Sequence, residues 1–345
     1  MVLTVSCSAF GTSDGAAGAS FFARNLRDEA NTAITARWHD PGELSATELQ
    51  GYGPEIRRAP APARTLRVAK ESGCNKSLPS GVQAGKTAIR SVVSADLKRT
   101  YRLHIPTRGT NSARLPIVLN FHGRTATGID QEIMSGLLPI SDRETFILVS
   151  PDGTGTPLGW TAGASTGGVD DVKFVNDLLD TLERDLCVDT GRVFATGFSN
   201  GAFLSSRLAC SIPDRITAIA AVGGVHYPQE GCPARVPVLA IHGATDSVVP
   251  MAGGTVRAWR YPGARAAMKE WAATNGCDET PATLEPLAGV KVISYLGCNA
   301  PTQLVTVEGA GHAWPGAPGT VTTDPIGSFS GAEMIWSFLA AAPRQ

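Results

Sequence analysis

No apolar run in this chain of 345 residues approaches the roughly 18 needed to cross a bilayer, so no segment is expected to insert into a membrane. An excess of charge is also missing. Thirty basic and 31 acidic residues leave a net charge of -1, without the basic surplus on which non-specific nucleic-acid binding draws, so nucleic acid is not an expected partner. No two of the seven cysteines stand at C-x-x-C spacing and no histidine completes a zinc site around them, which argues against a structural metal. No internal repeat is evident. Residues 1–10, MVLTVSCSAF, lack a basic leading region and make a poor signal peptide.

What is present is a globular composition, 43% hydrophobic, long enough for one large α/β domain or two small ones. The cysteines, at 7, 74, 187, 210, 232, 277 and 298, are spread as disulfides would be in an oxidising compartment, six paired and one left over; buried thiols of a cytosolic protein are the alternative. Asn75-Lys76-Ser77 matches a glycosylation acceptor, a pattern short enough to recur by chance.

Residues 1–65 are rich in Ala, Gly, Ser and Arg, lack periodicity and end in the proline-spaced RRAPAPAR; they read as a tail and linker ahead of a domain spanning 66–345. In that domain strand-like runs alternate with amphipathic helices, the pattern of a mostly parallel central sheet flanked by helices on both faces. The runs are 101–106, 116–123, 145–153, 192–199, 217–224, 237–243 and 303–309. Residues 170–186 carry Val172, Val175, Leu179, Leu182 and Leu186 at helical spacing behind two aspartates able to cap the first turn. A last helix starts near Ser330, whose spacing to Glu333 fits a capping box.

The pattern G-x-S-x-G marks a sharp strand-to-helix turn that lifts a nucleophilic serine above a sheet. Composition alone predicts about 0.3 such matches in this chain, so the pattern by itself decides little. Three occur, at Ser13, Ser165 and Ser199. Ser13 lies in the tail, and Ser165 has no strand before it. Only Ser199, in GFSNG, follows a strand and precedes a helix-like segment, so it is the candidate nucleophile.

In this architecture the base and its acid follow the serine in the order acid, then histidine. His39, His104 and His122 precede Ser199, and His226 and His242 precede the best acid, which leaves His312, in the loop EGAGHAWPG, as general base. Asp246 follows the run 237–243, where its carboxylate is placed to orient an imidazole; Asp214 and Asp278 have no strand before them. The backbone N–H groups of Asn200 and Arg124 are the expected oxyanion donors. His122 and His242, each in a strand-ending His-Gly pair, read as structural.

The motifs Phe121-His122-Gly123, Asp171-Val172 with Phe174-Val175, CVDTGRVFATGFSNG (187–201), Leu208-Ala209-Cys210, His242-Gly243 with Asp246 and Val249-Pro250, and Gly311-His312-Ala313-Trp314-Pro315-Gly316 carry a resemblance over most of the chain, from about Gly73 to Leu339. They resemble the secreted feruloyl esterase and polyhydroxybutyrate depolymerase-like group of carbohydrate esterase family one, on the α/β-hydrolase fold. The resemblance implies an extracellular, monomeric catalytic domain without cofactor that cleaves an ester through an acyl-enzyme at Ser199, Asp246 and His312. It implies disulfides Cys74–Cys187, Cys210–Cys232 and Cys277–Cys298, with Cys7 unpaired. The expected substrate is a hydroxycinnamate ester of plant cell-wall polysaccharide; a poly(3-hydroxybutyrate) polyester and acetylxylan are the alternatives. Trp160 and Trp314 are candidates to stack on an aromatic acyl group, with packing as the other reading. Two departures are Ala202, where many relatives carry glycine, and Arg124, where a smaller residue is common. An inactive binding protein on this fold should have lost a triad residue, and none is lost. A peptidase on it usually carries an added domain, for which the tail is too plain.

Overall fold

Strands covered on both faces read as short, mostly apolar runs, and five segments of the chain have that character: β3 (Leu115–Phe121), β4 (Ile147–Pro151), β6 (Ala218–Val222), β7 (Val238–Gly243) and β12 (Thr302–Val307) are buried throughout, a few polar side chains such as Asn120 and Gln303 included. With β5 (Val188–Phe198) they form a parallel block in the order β4-β3-β5-β6-β7-β12. This computed structural model describes residues 72–162, 169–228, 231–256, 259–317 and 329–344; the tail with Cys7 and Ser13, the decoy Ser165, and residues 66–71 lie outside them.

Antiparallel ribbons extend the block on either side into a ten-stranded sheet. On one side β1 (Lys86–Ser94) pairs with β2 (Leu97–Ile105), which pairs with β4; on the other β12 pairs with β11 (Val290–Tyr295), and β11 with β10 (Ala282–Leu287). A separate ribbon joins β8 (Gly254–Val256) to β9 (Trp259–Tyr261). The chain is an α/β-hydrolase fold with a mixed, mostly parallel sheet. The seven runs read from the sequence all fall on strands, whereas β1, β10 and β11 were not among them. Those three are partly exposed, and their apolar residues are interrupted too often to stand out.

Alternation along each strand divides the interior into two cores. Ile117, Leu119, Phe121, Ile219 and Ala221 face α3 (Asp171–Asp185), α4 (Asn200–Ser211) and α5 (Ala264–Thr274), while Val118, Ala218, Ala220 and Val222 face α2 (Leu137–Glu144) and α6 (Gly331–Ala340). A short helix, α1 (Gly128–Ser135), connects β3 to α2.

Two details at helix starts differ from expectation. Asp170 caps α3 by accepting the Lys173 N–H, but Asp171 does not cap: fully buried, it takes the Arg99 guanidinium at 2.9 Å and the Thr161 N–H at 2.7 Å. At α6 the capping box is half made. Ser330 accepts the Glu333 N–H, while the Glu333 carboxylate turns to Arg143, accepting from Nη1 at 2.9 Å and Nη2 at 2.6 Å. A bidentate guanidinium outcompetes a lone backbone N–H for a carboxylate.

Three disulfides join Cys74 to Cys187, Cys210 to Cys232 and Cys277 to Cys298. Cys187 immediately precedes β5, Cys210 lies in the last turn of α4, Cys232 precedes β7, Cys277 follows α5 and Cys298 precedes β12. All three bridges therefore gather at the edge where the parallel strands begin. In the chain-entropy account the 113-residue span from Cys74 contributes the most, about 4–5 kcal/mol.

Arg99 is 3% exposed, lies 3.8 Å above the Phe174 ring and donates to the Asp152 carbonyl as well as to Asp171. It thus ties β2 to the start of α3 and to the loop after β4. Arg99→Leu leaves Asp171 as an uncompensated buried charge and is expected to cost about 3–5 kcal/mol, read as a lowered urea midpoint at unchanged m-value.

Candidate active site

β3 and β5 are neighbours whose onward connections diverge, β3 through α1 and α2 to β4, and β5 through α4 to β6. At such a reversal the loops part and leave a crevice outside the carboxyl ends of the strands. Arg124 and Ser199, which follow β3 and β5, stand there.

Ser199 joins β5 to α4 with φ 53° and ψ -114°, a conformation that costs a non-glycine residue about 1–3 kcal/mol. Its surroundings impose it. The Ser199 N–H donates to the Val222 carbonyl at 2.8 Å, and the Ser199 carbonyl accepts the Phe203 N–H at 3.1 Å. The first turn of α4 lies so close to β3 that a Cβ on Gly201 would sit 2.2 Å from the Phe121 carbonyl oxygen, hence glycine. Asn200 is the first residue of α4, where backbone N–H groups have no partner within the helix.

The opposing loop is fixed by His122. Its Nε2 accepts the Gly153 N–H at 2.8 Å, so the proton sits on Nδ1, which donates to the Gly123 carbonyl at 2.6 Å. That bond holds the plane of the Gly123–Arg124 peptide, and with it the direction of the Arg124 N–H. Burial lowers the His122 pKa, keeping the ring neutral and this tautomer in place. The Arg124 side chain is exposed and lies against Gly159.

Across the crevice, the Asp246 loop follows β7 and the His312 loop follows β12. The two loops are bound together, since the N–H and hydroxyl of Thr245 both donate to the Ala310 carbonyl, at 3.0 and 2.8 Å. Gly243 permits the approach: a Cβ there would lie 2.3 Å from the Gly311 carbonyl oxygen. Asp246, 5% exposed, accepts the Val248 and Val249 N–H groups on Oδ1 at 2.9 and 2.8 Å, and His312 Nδ1–H on Oδ2 at 2.7 Å. Burial pushes its carboxyl upward, but the bonds from His312 and the Val249 N–H outweigh burial and hold the pKa below the usual carboxylate value. With Nδ1 committed to Asp246, His312 keeps Nε2 free to accept a proton. Its ring packs on Phe198, one residue before Ser199, with centroids 4.7 Å apart.

Ser199, Asp246, His312, Asn200 and the Arg124 backbone thus gather at one edge of the sheet, an arrangement suited to nucleophilic attack on a carbonyl. The two tryptophans offered for substrate stacking do not. Trp314 is 2% exposed and packs in the core beneath α6; Trp160 is 7% exposed, edge-on to Phe121, with its indole N–H donated to the His122 carbonyl. Their faces are occupied by protein, so both are packing residues. One contact escaped the sequence: the Asn200 amide accepts the Trp160 N–H at 2.6 Å and donates to the Trp160 carbonyl at 3.1 Å, clamping the loop after β4 beside Ser199. Among the described residues no group of three His, Cys, Asp or Glu side chains is placed to hold a metal ion.

Residues 170–261 match the phospholipase/carboxylesterase family. Among named proteins, the probable feruloyl esterase C of Aspergillus clavatus is 29% identical over 288 residues, covering 80% of this chain and 93% of that one. The probable feruloyl esterase C of Aspergillus niger is 35% identical over 201 residues, 57% of this chain and 65% of its own length. Among solved structures, the acetyl xylan esterase from Aspergillus awamori superposes with a TM-score of 0.51 at 17% identity, over 66% of this chain and 95% of that chain, a likeness of fold.

Two outcomes are expected. Gly201→Ala drives the turn away from β3 and should lower hydrolysis of a nitrophenyl ester by about 100-fold or more, whereas the neighbouring Ala202→Gly should cost only about 1 kcal/mol of stability. Because the folded-state pKa of Asp246 is depressed, its carboxylate contributes stability above the unfolded value of about 4, and that contribution is lost as pH falls through the folded pKa. Thermal melts of Asp246→Asn should therefore change less than those of the parent between about pH 5 and pH 2.

Proposed function

We propose, from the premise that this chain is a feruloyl esterase-like esterase of the α/β-hydrolase superfamily, that it is an extracellular serine hydrolase releasing hydroxycinnamates from plant cell-wall polysaccharide. The observation that carries the chemistry is the 2.7 Å bond from His312 to buried Asp246, in loops that meet beside the strained Ser199 turn. The similarity to proteins named feruloyl esterase supports the acyl group. The three disulfides support an oxidising, extracellular setting. No helix among the described residues is long and apolar enough to cross a membrane.

In the reaction, Ser199 Oγ attacks the ester carbonyl while its proton passes to His312 Nε2. Asp246 holds the ring by Nδ1 and stabilises the imidazolium. The carbonyl oxygen, now negative, takes the N–H groups of Asn200 and Arg124, each such donor contributing about 3–4 kcal/mol to the barrier reduction. Collapse expels the alcohol, which receives the proton from His312 and leaves feruloyl-Ser199. Water, deprotonated by the same Nε2, then attacks the acyl-enzyme; ferulate departs and Ser199 recovers its proton. The depressed pKa of Asp246 keeps it ionised throughout, so the imidazolium faces a full negative charge.

The deciding experiment offers the purified protein methyl ferulate, a short 3-hydroxybutyrate oligomer and acetylated xylan, beside Ser199→Ala. Cleavage of methyl ferulate in preference to the other two is expected, with a loss of at least about 1,000-fold in the variant. Cleavage of the oligomer or of acetylxylan alone replaces the acyl assignment and leaves the nucleophile standing. A Ser199→Ala protein as active as the parent removes the nucleophile.

A further inference from the structure

Of the buried histidines, His242 stands nearest the acid, and no step of the proposed reaction passes through it. It lies in β7, 1% exposed, four residues before Asp246. Its Nε2 donates to the Val249 carbonyl at 2.8 Å and is 3.5 Å from Asp246 Oδ2, the oxygen that receives His312. Because a carbonyl only accepts, the proton is on Nε2, which leaves Nδ1 bare and without a hydrogen-bond partner. A bare buried nitrogen is a penalty that an aliphatic side chain of similar size would avoid, so packing alone does not account for an imidazole here.

Its use is visible in the Val249 peptides. The Val249 N–H points to Asp246 Oδ1 and the Val249 carbonyl to His242, so Val249 is held from both sides. The next carbonyl, that of Pro250, accepts the Tyr261 hydroxyl of β9. Two ring side chains from two strands thereby pin consecutive carbonyls of the turn that carries the acid. The titratable groups facing His242 are Asp246 in its own loop and His312 from the loop after β12, with Tyr261 one carbonyl further on. Burial keeps the His242 ring neutral, so it competes with His312 neither for a proton nor for charge.

We propose that His242 is a positioning residue of this esterase: by gripping the Val249 carbonyl it aims the Val248 and Val249 N–H groups at Asp246 and so keeps the carboxylate against His312. The inference rests on the assignment of Ser199, Asp246 and His312 as the catalytic triad. It concerns the direction of a carboxylate and makes His242 no party to proton transfer.

The test compares His242→Gln with His242→Asn, using p-nitrophenyl butyrate so that acyl preference plays no part. The Gln amide N–H reaches the place of Nε2 and can bond the Val249 carbonyl; the shorter Asn amide cannot. His242→Asn should lose about 10- to 100-fold in kcat with KM within about 2-fold, and the acid limb of its pH profile should move to lower pH as Asp246 loosens its hold on His312. His242→Gln should keep kcat within about 3-fold of the parent and leave the limb in place. Equal kcat in the two variants, or a loss in His242→Asn that lies in KM with an unmoved limb, overturns the proposal. A parallel Ser199→Ala protein that retains activity overturns the triad, and this inference with it; inactivity there beside equal His242 variants overturns this inference alone.

Discussion

The approach of α4 to the end of β3 is the contact on which the rest of this site depends. With no side chain at Gly201, helix and strand can touch backbone to backbone, and Ser199 is forced into a conformation that only a surrounding hydrogen-bond frame sustains. The same approach brings the start of α4, with its uncommitted N–H groups, beside the loop after β3. The candidate nucleophile and the candidate oxyanion donors are thus consequences of one close packing and not separate placements. On the far side Gly243 does for the acid and histidine loops what Gly201 does for the serine turn.

Much of this was legible in the chain. Parallel strands buried on both faces are mostly apolar, and such runs, several ending in glycine, together with the helix over 170–186, define the central block. Ser199 is separable from Ser13 and Ser165 because a strand precedes it and a helix follows, and His312 because the order of residues leaves no other histidine. The edge strands β1, β10 and β11 are harder to read because half their residues meet solvent and the apolar pattern breaks up.

Side-chain partnerships were the least legible layer. Two adjacent aspartates at the start of α3 look alike as caps, yet one faces the Lys173 N–H and the other the buried Arg99, a residue more than seventy positions earlier in the chain. Glu333 has the spacing of a capping-box partner but lies within reach of Arg143, which only the packing of α6 near α2 brings about. Trp160 and Trp314 stand near candidate-site loops in sequence and inside the protein in space. The first forms a floor beneath the loop of His122 and Arg124; the second fills the opposite core. Adjacency along the chain says little about which side of a sheet a large ring will occupy.

The disulfides have a bearing on how such a protein changes over time. All three lie along the rim where the parallel strands begin, and Ser199, Asp246 and His312 lie along the rim where they end. The staples thus secure the scaffold at a distance of a full strand from the loops that carry the candidate site. Loops on that opposite rim are free to lengthen, shorten or exchange residues without untying a crosslink. Evolution, or an engineer grafting loops in search of a different acyl group, can rework one rim while the other keeps the fold closed.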